Sequence, residues 1–465
     1  MGYKVSSTAD LVNIINSGNV KMKNFHLIMG IALGGIILDG YIFATLGIGV
    51  NGISATFGLK AISIATISAI MGVGALIGAI VGGYFTDRIG RNKMFLINMI
   101  MFILGSFGAA FSFNVYMFLL FRAMMGAGVG LDFPVALSFI AEHSKLSSKG
   151  KNVSIWQSIN GTGFIIAYFL IIFVLAYLSP GNNLWRYAAG IGGGMAVVVL
   201  VLRYIYMRES PIWLATQGYL KDAVQILKEN YGIEAEISGE TGKKMRDIRP
   251  FSAIKLLFSK KYRTRSILLT IISPIQAIEY YAVIIYLPII TASLFVTGQI
   301  MSFEYSAIFQ FFGVLGPLLA MAIVQKLGMK KLGIVSSILI ILVLLALGLT
   351  SNLPIFVAFA LIALFIFVHT LGIGPLPMSE SSVSYPARIR GTGTGWVQMM
   401  IRVGTIFGLF LFPYAHAYFG LKNTFLFLLF VPIVVLLTFL IFSWEPIGKD
   451  IDNEWSGEDE IAITA

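Results

Sequence analysis

Apolar stretches of about twenty residues recur along the whole chain, separated by short polar segments. They fall at 25–48, 62–85, 94–114, 116–141, 153–178, 185–206, 266–294, 303–325, 332–350, 354–378, 394–419 and 423–443. Each is long enough to cross a hydrocarbon core of about 30 Å. Stretches of this length predict helices, because a membrane barrel would show short strands of alternating polarity. The first follows a polar segment of 24 residues with no small-residue cleavage site near its end, so it reads as a retained helix. The pattern predicts an all-α membrane protein of twelve transmembrane helices.

The longest polar segment, 207–265, divides the spans six and six. The expected organisation is an N-terminal segment (1–24), a six-helix bundle (25–206), a central cytoplasmic loop (207–265), a second bundle (266–443) and an acidic cytoplasmic tail (444–465). Within the loop, 218–230 has the pattern of a short amphipathic helix. The two halves repeat. Asp87-Arg88-Ile89-Gly90 lies between spans 2 and 3, and Gln325-Lys326-Leu327-Gly328 between spans 8 and 9. Lys149-Gly150, Gln157 and Gly163 are matched by Arg390-Gly391, Gln398 and Gly404. Several matches at nearly one offset, in like contexts, predict two pseudo-symmetric bundles with a site at their interface.

Composition agrees. Of 465 residues, 57% are hydrophobic and 12% charged, where soluble proteins carry about 25% charged. The net charge of +11 is sorted rather than spread. With alternate loops on alternate sides, one side receives Lys4, Lys21, Lys23, Arg88, Arg91, Lys93, Lys145, Lys149, Lys151, most of 203–265, Lys326, Lys330, Lys331, Arg388, Arg390 and Lys449. The other receives Lys60, Arg186 and Lys422. The first side is expected to be cytoplasmic, with both termini inside a plasma membrane. Scattered basic residues on short loops do not suit nucleic acid. The absence of cysteine excludes disulfides and thiol chemistry, and four histidines show no metal-ligand spacing. No Gly-Lys-Ser/Thr phosphate loop is present, so no cofactor is expected and a proton gradient is the energy source.

Several motifs together resemble the major facilitator superfamily over essentially the whole chain. Gly82-Gly83-Tyr84-Phe85-Thr86-Asp87-Arg88-Ile89-Gly90-Arg91 is similar to its signature between helices 2 and 3. Phe121-Arg122 with Gly126, Gly128 and Gly130, then Glu142, resembles the helix-4 pattern of sugar porters and metabolite–proton symporters. Glu209-Ser210-Pro211-Ile212-Trp213-Leu214, Pro386-Ala387-Arg388-Ile389-Arg390-Gly391, and Gln276 with Tyr286-Leu287-Pro288 resemble three more of that branch's motifs. Other residues depart from the sugar porters. Their Gly-Tyr-Asp in helix 1 is Gly40-Tyr41-Ile42 here, with the acid earlier at Asp39, and Phe164 stands where they often carry a sugar-binding Gln. Leu38-Asp39-Gly40-Tyr41, Leu131-Asp132-Phe133-Pro134 and Ile401-Arg402-Val403-Gly404 are closer to aromatic-acid and phosphate symporters. The resemblance implies a secondary active transporter, a proton symporter of a small polar metabolite. An organic acid anion leads as substrate, with sugar, polyol or phosphate as alternatives. The partners implied are the bilayer, the substrate and protons, and the chain is expected to act as a monomer. A sensor on the same fold would need an added signalling domain, and no constellation of an enzyme is present.

Ionisable groups inside the spans carry the chemistry, because an insertion cost of about 2.5–3.5 kcal/mol confines them to cavities or pairs. Asp39, Arg122, Asp132 and Glu279 are candidates for proton coupling. Asp39 either loads and releases a proton or is permanently paired with Arg122. Asp132 is either functional or a structural hydrogen bond beside Pro134. Gln276, Glu279 and Tyr280 share a helical face and, with Gln157, Asn160, Gln398 and Arg402, are candidates for substrate binding. Gln157 and Asn160 equally suit interhelical glue. Arg402 is either an anion site or the partner of Glu279. Glu380 is expected to be a solvated acid at a helix end. Gly83, Asp87, Arg88, Arg91, Glu142, Glu209, Arg388 and Arg390 are candidate gating residues at cytoplasmic helix ends.

Overall fold

The structure is a computed structural model that describes residues 3–16, 22–58, 61–178, 181–237, 250–287, 290–291, 299–350 and 354–464. Pro288 of the helix-7 pattern, and Lys21 and Lys60 of the charge count, lie outside the described residues. Six long helices form the N-terminal half: α1 (Phe25–Phe57), α2 (Ala61–Ile89), α3 (Arg91–Ala110), α4 (Val115–His143), α5 (Trp156–Leu178) and α6 (Leu184–Tyr206). The C-terminal half contains α7 (Arg263–Ile285), α8 (Gln299–Leu327), α9 (Met329–Leu349), α10 (Ile355–Leu371), α11 (Arg390–Leu428) and α12 (Phe430–Ile441). After a break at Gly372, α10 resumes as Leu376–Ser384. Among the described residues, eleven helical spans are long and apolar enough to cross a membrane. The expected span 394–419 lies within α11, whose helical geometry is interrupted at Gly420 (φ 72°).

Packing repeats between the halves. α1 packs on α5, α2 on α4 and α3 on α6; α7 packs on α11, α8 on α10 and α9 on α12. The halves meet through α2 against α11 and α5 against α8, the same relationship read from each side. Glycines permit this closeness. A Cβ on Gly163 of α5 would sit 2.1 Å from the Ile37 carbonyl oxygen of α1, and one on Gly404 of α11 would sit 2.0 Å from that of Pro274 on α7. These residues are the repeat partners noted above, and no side chain larger than hydrogen fits there. The outer faces carry exposed Phe173, Val198, Leu342 and Leu440, as expected of surfaces that face lipid.

Outside the membrane the chain departs from pure helix. A two-stranded parallel patch pairs β1 (Tyr3–Val5) with β2 (Ala235–Ile237), joining the N-terminal segment to the central loop. The stretch 218–230 forms the helix Leu220–Ile226 followed by one π turn, Leu227–Tyr231. The acidic tail does not hang free. Its helix Gly457–Thr464 packs on the loop helix Pro250–Leu257, and Arg265 pairs with Glu454 at 2.6 Å.

Candidate functional site

A cavity lies between the halves. Six of the seven residues singled out for substrate binding line it: Gln157 and Asn160 of α5, Gln276 and Tyr280 of α7, and Gln398 and Arg402 of α11. Phe133, Trp156 and Tyr281 complete its aromatic wall. Gln157 Nε2 donates to the Tyr280 hydroxyl at 3.1 Å, across the two halves. Trp156 Nε1 donates to Ser379 Oγ at 3.1 Å, closing one end. Arg402 is held from its sides. Nη1 donates to the Tyr281 hydroxyl at 3.1 Å, and the guanidinium lies 5.1 Å from the Phe43 ring centre and 5.9 Å from that of Phe133. Its Nε has no hydrogen-bond partner among the described residues.

Glu279 is not on that wall. It is fully buried behind it, and among the described residues both oxygens lack a hydrogen-bond partner and His369 Nε2, at 3.7 Å, is the cation candidate in reach. The His369 ring stacks on Tyr280 at 5.1 Å. Of the two readings of Arg402, the ion pair with Glu279 is not formed: Arg402 turns toward Tyr281 and the cavity, Glu279 toward α10. Sequence reasoning overlooked His369 because a lone histidine on an apolar span carries no spacing signal.

The alternative reading of Asp39, a permanent pair with Arg122, is not what the structure shows. Both Asp39 oxygens are buried without a hydrogen-bond partner among the described residues, and the charges that act on it are those of Asp132, Arg402 and Arg203. Arg122 is elsewhere, beside Phe118 and Trp185 at the other end of α4. Depth explains the difference. Asp39 lies 14 residues past Phe25, about 21 Å along α1, whereas Arg122 lies 21 residues before His143, about 31 Å along α4 from the same end. Asp132 is held instead by Asn98 Nδ2 at 2.5 Å and Arg203 Nη2 at 3.0 Å, not at a carbonyl freed by Pro134. Arg203, counted among the loop cations, lies inside α6 and is fully buried, its guanidinium over the Phe95 ring at 4.3 Å. The signal was present, since residue 203 falls within the sixth apolar stretch.

At the end of the bundle where α2 meets α3 and α10 meets α11, charges bridge the halves. Glu142 Oε1 of α4 accepts from Arg91 Nη2 at 2.7 Å and from Arg390 Nη1 of α11 at 3.2 Å. Asp87 of α2 accepts from the Gly391 and Thr392 amides at 2.9 and 2.7 Å, capping the first turn of α11. Gly83 sits against this contact, where an added Cβ would be 2.7 Å from the Gly391 carbonyl oxygen. Glu209 accepts from the Arg91 and Asn92 amides at 2.9 and 3.1 Å, and burial pushes its carboxyl up. Glu445 repeats that contact in the second half, accepting from the Lys330 amide at 3.0 Å. Arg388 is buried at the same end. Arg88 is exposed and donates to Tyr84 of its own helix at 2.9 Å. Asp452 of the tail is in it, meeting Arg390, Lys149 Nζ at 3.1 Å and the Ala387 amide at 2.9 Å. Glu380, expected at a solvated helix end, is fully buried with both oxygens unpartnered among the described residues. The family model described as sugar (and other) transporter matches residues 27–453.

The chain belongs to this family.

Curated transporters match most of its length. The glucose transporter GlcP of Staphylococcus epidermidis (strain ATCC 12228 / FDA PCI 1200) is 26% identical over 394 residues, 82% of this chain and 85% of that protein. The niacin transporter NiaP of Acinetobacter baylyi (strain ATCC 33305 / BD413 / ADP1) is 25% identical over 395 residues, 82% of this chain and 85% of that one. Among solved structures, the proton:xylose symporter XylE of E. coli, of the major facilitator superfamily, superposes with a TM-score of 0.79 at 21% identity, covering 93% of this chain and 99% of that chain. The chain is thus an integral membrane transporter with the twelve-helix, two-bundle architecture, and not an enzyme.

Proposed function

We propose that the chain is a proton-coupled symporter of a small organic acid anion, working by alternating access of the central cavity. The observation that carries the reading is the Arg402 guanidinium, which lines the cavity, is oriented by Tyr281, and makes no ion pair among the described residues. Arginine keeps its charge at any accessible pH and matches a carboxylate with two parallel hydrogen bonds. The aromatic wall and the amides of Gln157, Asn160, Gln276 and Gln398 suit a ring or short chain with further polar groups. The printed name of NiaP, whose substrate niacin is an aromatic carboxylic acid, supports the same choice.

Protons are carried by buried acids. Asp39 sits without a donor, beside the Asp132–Arg203 pair. Burial and a nearby cation act oppositely on a carboxyl group, so alternating water access can load and empty it. The gradient supplies about 2.3 kcal/mol per charge per 100 mV, with no cofactor, and a monomer suffices. Both termini and the Glu142–Arg390 network face the cytoplasm; single cysteines at exposed Ser6 and Asn182 should label from opposite sides.

A second reading, sugar or polyol transport, is favoured by the four amides and by the printed names of GlcP and XylE. Proteoliposome uptake decides between them. Nicotinate or benzoate should accumulate under an acid-outside gradient while xylose and glucose do not. Accumulation of sugar alone would replace the anion reading, and uptake that ignores the gradient would remove proton coupling.

A further inference from the structure

A second cavity lies within the N-terminal half between α1, α4 and α6. Arg122 lines it, with Tyr41, Thr45, Phe118, Trp185 and Gly192. It is separate from the central cavity and lies at the opposite end from the charge network, since Arg122 is twenty residues before Glu142 on α4, about 30 Å along the helix. Arg122 is 5% exposed, and its Nε and Nη2 are buried without a hydrogen-bond partner among the described residues.

Among the described residues, no acid lines this cavity. The Tyr41 hydroxyl donates to the Ala188 carbonyl at 2.9 Å and Thr45 Oγ1 to that of Ile42 at 2.9 Å, and neither oxygen accepts from Arg122 Nε or Nη2. The Phe118 ring, 6.0 Å from the guanidinium, is the remaining partner and a weak one. A guanidinium cannot shed its proton, so burial leaves a fixed charge that no acid among the described residues neutralises. Buried charges in proteins are paired, and this one has no counter-ion among the described residues.

We infer that the Arg122 cavity is a binding site for a small monovalent anion, a halide or a short carboxylate, distinct from the central transport cavity. An anion there completes the hydrogen bonds of Nε and Nη2 and neutralises the outer half of the N-terminal bundle. The inference does not depend on the substrate proposed above.

Trp185 reports on the site, because it lines this cavity while Trp156 lines the other. In purified full-length protein carrying Trp156→Phe, iodide should quench tryptophan emission with a saturable phase half-complete in the millimolar range. Trp185→Phe and Arg122→Gln should each remove that phase. Chloride or acetate should displace iodide, the effective one of the two naming the natural occupant as halide or carboxylate. A neutral osmolyte should not. Purely linear quenching, displacement by neither anion, or a saturable phase that survives Arg122→Gln would overturn the proposal. So would a phase lost in Arg186→Gln but kept in Arg122→Gln, because Arg186 lies over the same indole at 4.2 Å. Should Arg122→Gln fail to fold, Thr45→Asp replaces it: the internal carboxylate should occupy Arg122 and abolish saturable quenching, and quenching like the parent's would count against the site.

Discussion

Glu142 of the N-terminal half lies 3.2 Å from Arg390 of the C-terminal half, and the same Glu142 oxygen is 2.7 Å from Arg91. One buried carboxylate oxygen thus ties two cations on different halves, and separating the halves at this end must break one of the bonds. Glu142→Gln should loosen the closed end. If the lost bond is worth about 1.4 kcal/mol net, a cysteine placed at buried Ser379 should label about tenfold faster with a water-soluble maleimide. The chain has no native cysteine to remove first. An unchanged rate would show that the network does not hold this end shut.

Asp452 couples the tail to the same network. Burial pushes its carboxyl up, but Arg390 and then Lys149 outweigh that and hold it down at about 2. A folded value below the unfolded one, about 3.9, means that its contribution is fully present above pH 4 and is lost as pH falls through about 2. Its size is on the order of 2 kcal/mol. Asp452→Asn should lower the melting temperature at pH 7, with the gap to the parent narrowing in acid below pH 4. A gap independent of pH would assign the effect to packing.

Asp39→Asn is expected to abolish uphill uptake while leaving exchange between equal substrate pools. Asp132→Asn should do the same and also destabilise the fold by about 3–5 kcal/mol, because Arg203 is left buried without its anion. Adding Arg203→Met to Asp132→Asn should recover most of the melting temperature without restoring coupling. Concentrative uptake by both single variants would move the proton to other groups.

Arg402→Lys keeps the charge but loses the fork. Carboxylate half-saturation should weaken by roughly tenfold, from about 1.5 kcal/mol of lost charge-assisted hydrogen bonding, with expression unchanged. Arg402→Gln should abolish anion uptake. Substrate binding by both variants like the parent's would exclude Arg402 as the anion site.

The chain's apolar lengths by themselves determined that it spans a membrane as helices, and the repeated Gly163/Gly404 and Gln157/Gln398 positions determined that it does so as two like halves. Bilayer thickness and backbone hydrogen bonding leave no other solution, and each signal is local. The amides and Arg402 of the cavity were legible for the same reason, being polar groups on spans where polarity is costly. Pairing was not legible. Asp39 was matched to Arg122 by type alone, although their depths differ by about 10 Å at 1.5 Å per residue. Arg203 was counted as a loop residue because it ends an apolar run, and only the packing of α3, α4 and α6 brings it under Asp132. Asp452, in a tail that reads as acidic and solvated, is drawn in by Arg390 and Lys149 from both halves. Which acid meets which cation depends on helix rotation and depth in three dimensions, and only the tertiary structure sets those, because side chains distant in sequence become neighbours through packing alone.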